Sequence, residues 1–167
     1  MKKSLLFASF FLLALYGFSQ PALGLRVGEP YGLNLKLYAS ENSAVDIVPG
    51  GNYLKKTFTY DTDGIDYAIP AIMVNYVYQK PLNRRSDGEF YIGAGGTYQR
   101  VKFLGSTAAE QGPYESRLIF NVPIGLEYFF GGSSFSLYGE FKPAIEIVPG
   151  FGALYLDPAV GFRIRFD

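Results

Sequence analysis

Apolar and polar side chains alternate along most of this chain with a period of two residues. The final stretch is the clearest case: its apolar members are Val160, Phe162, Ile164 and Phe166. Arg163 and Arg165 occupy the other parity. Because successive side chains of a β-strand point to opposite faces, this stretch has one apolar and one cationic face. Such a strand is typical of a wall between lipid and a polar lumen.

The same period, interrupted by turn residues, divides the chain beyond residue 20 into eight strand candidates. We predict strands near 22–28, 31–39, 44–50, 66–80, 88–104, 115–130, 134–148 and 153–166. Short polar turns at 40–43, 81–87 and 131–133 alternate with longer loops at 51–65 and 105–114. Outer-membrane barrels place short turns in the periplasm and longer loops outside. The predicted fold class is therefore all-β, an eight-stranded antiparallel up-and-down transmembrane β-barrel.

The N-terminus has the organisation of a secretory signal peptide. Two lysines precede an apolar run over 5–15, and the small residues Gly17 and Ser19 suit cleavage after them. The run is shorter than the roughly 20 residues that a transmembrane helix needs. We predict a cleaved signal peptide over 1–19 and one barrel domain over 20–167, with a retained membrane anchor as the alternative.

Composition argues against several classes of function. The chain has 15 basic and 15 acidic residues, so removing the two lysines of the signal peptide leaves 13 against 15, a formal charge of −2. Without a basic excess, nucleic acid is not an expected partner. There is no cysteine for a lipid anchor or a disulfide, and no histidine for a hydrolase or a zinc site. We therefore predict no catalytic activity, no cofactor and no metal.

Alternation alone does not decide which face points inward, because a soluble lipocalin-like barrel also alternates. The signal peptide favours a membrane barrel, and so does a charged fraction of 18%, against about 25% in soluble domains. Aromatic residues also gather at the strand ends assigned to the periplasm, where they would form a girdle at the membrane interface. The predicted girdle comprises Tyr76, Tyr78, Phe90, Tyr128, Phe130, Phe135, Phe162 and Phe166.

Four segments combine glycine with alternating apolar and polar residues. They are Gly24-Leu25-Arg26-Val27-Gly28, Tyr31-Gly32-Leu33-Asn34-Leu35-Lys36, Gly125-Leu126-Glu127-Tyr128 and Gly161-Phe162-Arg163-Ile164-Arg165-Phe166. In these segments the chain resembles small outer-membrane β-barrel proteins of the OmpA/OmpX type, and more closely the compact barrel proteins of Bacteroidetes-type envelopes. The resemblance implies a place in the bacterial outer membrane, contact with its lipid, and insertion by machinery that reads a final strand ending in an aromatic residue. Here Asp167 follows Phe166, which departs from that pattern.

Side chains just fill the interior of an eight-stranded barrel. Ten charged residues of the polar parity are predicted to point inward, five cationic and five anionic. They are Arg26, Lys36, Asp46, Glu127, Glu140, Lys142, Glu146, Asp157, Arg163 and Arg165. Because an unpaired buried charge is expensive, this balance predicts ion pairs that plug the lumen. Glu127 and Glu140 are the candidate partners of Arg163 and Arg165.

The function predicted from these features is structural or interactive. An extracellular partner would contact the loops at 51–65 and 105–114, although the apolar side chains of the first loop suit capping of the barrel rim equally well. Two alternatives stay open. One is a narrow channel or an accessory subunit of an envelope transport machine. The other is a lipid-active barrel enzyme, which the absence of histidine disfavours.

Overall fold

The computed structural model describes residues 20–51, 70–82, 87–104, 111–131, 133–152 and 154–166. The predicted signal peptide, residues 52–65 of the first long loop and residues 105–110 of the second lie outside these ranges. The prediction of loop over 111–114 is wrong, because a strand begins at Gln111. Among the described residues, no helix is long and apolar enough to cross a membrane.

Nine strands make up the described structure, and all of them pair in antiparallel fashion. They are β1 (Gln20–Val27), β2 (Tyr31–Ser40), β3 (Ser43–Gly51), β4 (Pro70–Pro81), β5 (Gly88–Leu104), β6 (Gln111–Asn121), β7 (Ile124–Phe129), β8 (Phe135–Val148) and β9 (Leu154–Arg165). The prediction of an all-β, up-and-down antiparallel sheet is confirmed.

The sheet closes on itself, because all consecutive strands except β6 and β7 pair with each other and β1 also pairs with β9. Strands β6 and β7 share one position in this ring, since both pair with β5 on one side and with β8 on the other. Nine strands therefore fill eight positions around the ring.

The prediction of one continuous strand over 115–130 is wrong in one respect, because the strand is interrupted after Asn121. Pro123 has no backbone N–H and cannot donate to the ladder. No residue is inserted at the break, since the Val122 N–H still donates to the Pro143 carbonyl at 2.9 Å and the Pro123 carbonyl accepts from Gly93 N–H at 2.9 Å. The wall is thus continuous across β6 and β7 despite the missing donor.

The strands are strongly staggered around the ring. Starting from Ala22, paired residues lead through Lys36, Asp46, Asn75, Gly95, Asn121 and Ala144 to Tyr155 in β9. The direct partner of Ala22 in β9 is Arg165, ten residues further along that strand. A stagger of this kind requires strands that tilt against the barrel axis, by about 35–45° in barrels of this size.

Burial is inverted relative to a soluble protein. Inward-facing residues alternate with outward-facing ones, as in β4, where every second residue from Ala71 to Gln79 is buried. The largest fully buried side chains include Arg163, Lys36 and Glu127. The outward-facing residues are mainly Leu, Ile, Val, Phe and Tyr, and many are about half exposed. We call the end of the barrel with residues 41–42, 82, 87 and 130–131 the turn end, and the opposite one the loop end.

Candidate functional site: the charged lumen

Arg163 of β9 lies at the centre of the lumen. Its Nη1 donates to Glu127 Oε2 at 2.6 Å and its Nη2 donates to Asp46 Oδ2 at 2.9 Å. Its Nε donates to the Asn34 side-chain oxygen. The guanidinium carbon lies 3.7 Å from the ring centroid of Tyr138, so the cation also stacks on an aromatic face. One arginine therefore connects strands from different sides of the ring.

The partners of Arg163 are bonded to one another and to further polar groups. The Glu127 carboxylate also accepts from Lys36 Nζ at 2.8 Å and from Ser136 Oγ at 2.7 Å, and Asn34 donates to Asp46. We call this group the central cluster; it comprises Asn34, Lys36, Asp46, Glu127, Ser136 and Arg163. Each member is at most 2% exposed. Two cations balance two carboxylates, which is the condition under which buried charges are tolerated.

A second group of charges lies nearer the loop end. Arg26 Nη1 donates to Glu140 Oε1 at 2.7 Å, and the Tyr91 hydroxyl donates to the other oxygen of that carboxylate at 3.0 Å. Asp157 pairs with Lys142 at 3.1 Å and with Arg26 at 3.5 Å. Arg26 therefore connects two carboxylates on β8 and β9.

The same group continues into the turn between β1 and β2. The Glu29 backbone N–H donates to both Asp157 carboxylate oxygens at 3.1 Å, and Lys142 donates to the Glu29 carbonyl. Glu146 pairs with Arg117 at 3.7 Å and accepts from Tyr155. We call this the loop-end cluster; its charged members are Arg26, Glu29, Arg117, Glu140, Lys142, Glu146 and Asp157. It holds four carboxylates and three cations.

Glu29 lies in a turn outside the strands, and it is the fourth carboxylate of a cluster with three cations. Partial burial and the nearby Asp157 carboxylate raise the pKa of Glu29, while Lys142 acts in the opposite direction. The loop-end cluster is therefore less well neutralised than the central cluster.

Arg165 occupies the lumen at the turn end. Its Nη2 donates to the Tyr38 hydroxyl at 3.0 Å. Its guanidinium carbon lies 4.6 Å from the ring centroid of Tyr38 and 4.5 Å from that of Phe129. Two aromatic rings thus hold this cation at the mouth of the barrel.

The structure places all ten predicted inward charges on the inner face. It brings Arg163 together with Glu127, one of the two expected partners. The pairing of Glu140 with Arg163 or Arg165 is wrong. Glu140 binds Arg26 and Arg165 binds Tyr38, because the tilt of the strands brings different residues to the same depth.

Several charged residues of the inner face were not predicted from the sequence. Glu89 shares the parity of buried Tyr91, and Arg117 shares that of buried Ile119, so period two would have identified both. Glu29 lies in a turn, where parity says nothing. Neutral polar residues were also missed, and they contribute much of the buried surface; they are Asn34, Ser43, Asn75, Gln79, Thr97, Gln99, Asn121 and Ser136.

Two glycines make room for the lumen tyrosines. A Cβ atom at Gly125 would lie 2.4 Å from the Tyr91 hydroxyl, and one at Gly161 would lie 2.5 Å from the Tyr138 hydroxyl. These distances leave no space for a larger residue. The tyrosine rings fit into the lumen only because glycine has no side chain at the facing positions of the wall.

One small cavity lies in the described part of the lumen. A cavity of about 30 Å³ lies at the loop end, bordered by Glu29, Gln99, Asn121, Lys142 and Asp157 among others. It has room for about two water molecules. Among the described residues, no group of three or more carboxylate, histidine or cysteine side chains is arranged to hold a metal ion.

The predicted girdle residues lie on the outer surface at the turn end of the strands. Ring centroids of Tyr128 and Phe130 are 5.3 Å apart, those of Phe130 and Phe135 are 5.5 Å apart, and those of Phe135 and Phe162 are 5.9 Å apart. The remaining members, Tyr76, Tyr78, Phe90 and Phe166, are exposed. This part of the girdle is a continuous row of rings across β7, β8 and β9.

Neither a protein-family model nor a curated protein matches the sequence. Among solved structures, Neisserial surface protein A is 13% identical, with 88% of this chain and 95% of that chain covered and a TM-score of 0.51. Ail, the attachment invasion locus protein of Yersinia pestis, is 14% identical over 88% of this chain and 94% of its own, with a TM-score of 0.49. The likeness to the Neisserial protein, an eight-stranded outer-membrane barrel, shows the fold alone.

Proposed function

We propose that this protein is an integral outer-membrane β-barrel whose side chains close its lumen and whose role is structural or in surface contact. The observation that carries the proposal is the inverted burial of the sheet. Arg163 and Glu127 are each 1% exposed, whereas outward-facing Leu126 and Tyr128 are 54% and 53% exposed. In water, the charged side chains would be expected outside and the apolar ones inside. In a lipid bilayer, apolar side chains face the lipid and charged ones face the lumen.

The inverted burial also separates this proposal from a soluble barrel. A soluble lipocalin-like barrel would enclose its apolar face and expose the charged one. Here an apolar surface surrounds the ring, and soluble monomers rarely expose contiguous apolar patches of that extent. Lipid is the partner that covers such a surface on all sides.

In the proposed orientation the turn end faces the periplasm. Both ends of the described chain, Gln20 and Phe166, lie at that end, consistent with export through a signal peptide over 1–19. The aromatic girdle then lies at the periplasmic interface of the outer membrane, where aromatic rings are favoured. The loop end faces outward. We retain the assignment to the OmpA/OmpX type and to Bacteroidetes-type barrels as a proposal, with outer-membrane lipid and the barrel-insertion machinery as partners.

The filled lumen supports a closed barrel over a narrow channel. Arg163 reaches from β9 to Asp46 on β3 and to Glu127 on β7, so the central cluster crosses the whole section. An ion could pass only after several buried ion pairs had separated, which is strongly unfavourable. The purified protein should therefore give no stable ion-sized conductance.

We also propose that the barrel has no catalytic activity. The one serine within the central cluster, Ser136, donates a hydrogen bond to Glu127 and is 2% exposed. A lipid substrate in the membrane cannot reach it. Its hydroxyl therefore serves to hold a carboxylate rather than to attack an ester.

Membrane fractionation tests the location. We expect the protein in the outer-membrane fraction, with a gel mobility that changes on boiling, as a closed barrel resists detergent until it is heated. Recovery from the soluble periplasm without a mobility change would contradict the proposal.

Planar bilayer recordings test the closed lumen. The protein, purified in its folded, heat-modifiable form, should leave the bilayer current at baseline, while a general porin in the same chamber gives channels. Stable ion-sized steps from the pure barrel would contradict the closed lumen without affecting its membrane location.

A further inference from the structure

Strand β9 extends beyond its neighbour β1 at the loop end. The last residue pair between them joins Val27 and Val160, but β9 begins six residues earlier, at Leu154. The turn after β1 packs closely against β9 just below this point, since a Cβ at Gly28 would lie 2.4 Å from that of Ala159. Among the described strands, none pairs with residues 154–158 on the β1 side. On the other side, this segment pairs with β8.

The hydrogen-bonding groups of this segment can be assigned by parity. Phe166 N–H donates to the Pro21 carbonyl at 2.9 Å, so even-numbered residues of β9 direct their backbone groups toward the β1 side. The N–H and C=O groups of Leu154 and Leu156, and the C=O of Pro158, therefore point to the unpaired side. We call residues 154–158 the free β9 edge. An unpaired strand edge is a template for another extended chain.

The outer face of the free β9 edge is apolar and unusually exposed. Leu154 is 77% exposed, Leu156 is 67% exposed, and Phe151 in the preceding turn is 80% exposed. Val27, directly below, is 68% exposed. These are the most exposed large apolar side chains of the described residues, and they all lie on this flank of the barrel.

The inner face of the same edge is acidic. Tyr155 and Asp157 point inward, into the loop-end cluster with its four carboxylates and three cations. A strand added beside the edge would place every second side chain over this cluster and the others beside Leu154 and Leu156. Charge complementarity favours basic residues at the inward positions, and burial favours apolar residues at the outward positions.

A second copy of this chain does not fit the edge. Two barrels inserted in one membrane both have β9 running toward the turn end, so their β9 strands would meet in parallel orientation. Because each strand tilts by about 35–45°, they would cross at about 70–90°, which is incompatible with a shared ladder. The occupant must be able to align itself with the tilted edge.

We propose that the free β9 edge is a docking site for an extended segment of a partner protein in which apolar and basic residues alternate. The segment adds to the barrel wall as a strand, with backbone hydrogen bonds supplying affinity and the two side-chain rows supplying selectivity. This inference rests on the proposed function in one respect, because the edge is accessible to an outside partner only if the loop end faces outward.

The probe is a capped peptide of about eight residues in which valine and lysine alternate, titrated against the full mature barrel in detergent micelles. Two control peptides isolate the two sources of recognition. One replaces lysine with glutamate, and the other carries N-methyl groups on the amides that would face the edge. We expect each control peptide to bind at least tenfold more weakly. Equal binding of the N-methylated peptide would overturn strand addition.

Amide hydrogen exchange measured by NMR gives a second readout. In the free barrel, the Leu154 and Leu156 amides should exchange rapidly, while the Tyr155 amide, which faces β8, is protected. The peptide should protect Leu154 and Leu156. Protection of these two amides in the free barrel would overturn the proposal, because the edge would then be covered by this chain itself.

Leu156→Pro removes one donor from the edge while leaving the β8 ladder intact, and Pro158 shows that β9 accepts proline at the equivalent position two residues later. Leu156→Val keeps the donor and is the matched control. We expect at least a tenfold loss of binding for the first variant only. Both variants are checked by their heat-modifiable mobility, so lost binding by a folded barrel is distinguished from failure of the barrel assignment. Unchanged binding by folded Leu156→Pro would overturn the docking site.

Discussion

Arg163→Met is the substitution that tests the central cluster most directly. Methionine retains most of the apolar volume of the arginine stem but has no charge and no donor. The variant leaves Asp46 and Glu127 in the lumen with Lys36 as the one cation of the cluster, so a neutral buried group becomes one with an excess negative charge.

The expected magnitude follows from the burial of these groups. The side chains of Arg163, Asp46 and Glu127 are at most 2% exposed, so water does not screen the charge that is left behind. Removal of one partner from a buried ion pair lowers the free energy of unfolding by about 3–5 kcal/mol. Arg165→Met is the matched control, because that arginine makes one hydrogen bond to a tyrosine hydroxyl and lies nearer the mouth. We expect it to lose about 1 kcal/mol.

Urea unfolding of the barrel in lipid vesicles measures both variants. The chain has no tryptophan, so circular dichroism and the fraction of heat-modifiable band follow the transition. Adding Glu127→Gln to Arg163→Met restores a balance of one cation and one carboxylate. The double variant should lose at least about 1 kcal/mol less than the sum of the two single variants.

An Arg163→Met variant that lost no more stability than Arg165→Met would show that the buried ion pairs do not stabilise the barrel. Additive effects of the two substitutions at 127 and 163 would show that the central cluster does not act as one network.

Three further outcomes can be checked by the same unfolding assay. The pKa of Glu29 is higher in the folded barrel than in the unfolded chain, so its carboxyl group lowers the free energy of unfolding once the pH exceeds the pKa of the unfolded state. Glu29→Gln should therefore stabilise the barrel at pH 7 and have no effect near pH 3. Gly161→Ala places a methyl group 2.3 Å from a backbone oxygen and should lower stability by about 1–3 kcal/mol, whereas Gly139→Ala, with open space around its Cβ position, should not. Phe141→Lys, in the middle of β8 on the outer face, should lower stability by about 2–4 kcal/mol in bilayers and much less in a thin, adaptable micelle.

Parity along the strands could be read from the sequence because it depends on each strand alone. In the final strand, for example, the residue types at 160–166 distinguish the two faces before any neighbour is known. The tyrosines that fill the lumen could have been inferred in part, since Tyr91 and Tyr138 have the parity of the polar face. Their accommodation by Gly125 and Gly161 could not, because these contacts cross between strands.

The partners of the buried charges could not be predicted from parity. Arg163 binds Asp46, which is 117 residues away, and Glu127, which is 36 residues away. Which residues meet at one depth depends on the register of every strand pair and on the ten-residue stagger with which the ring closes. A change of two residues in the register of one strand pair preserves every face but changes which charges meet across that pair.

The position of Arg163 in the last strand has a consequence for how the barrel forms. Before β9 is in place, Lys36, Asp46 and Glu127 lie on the inner face of an open sheet, where water can reach them and one negative charge is uncompensated. Arrival of β9 supplies, in a single step, the missing cation and the hydrogen bonds of the closing strand pair. Ring closure, expulsion of water and charge neutralisation therefore occur together. We therefore expect closure of the barrel to be cooperative and to require β9.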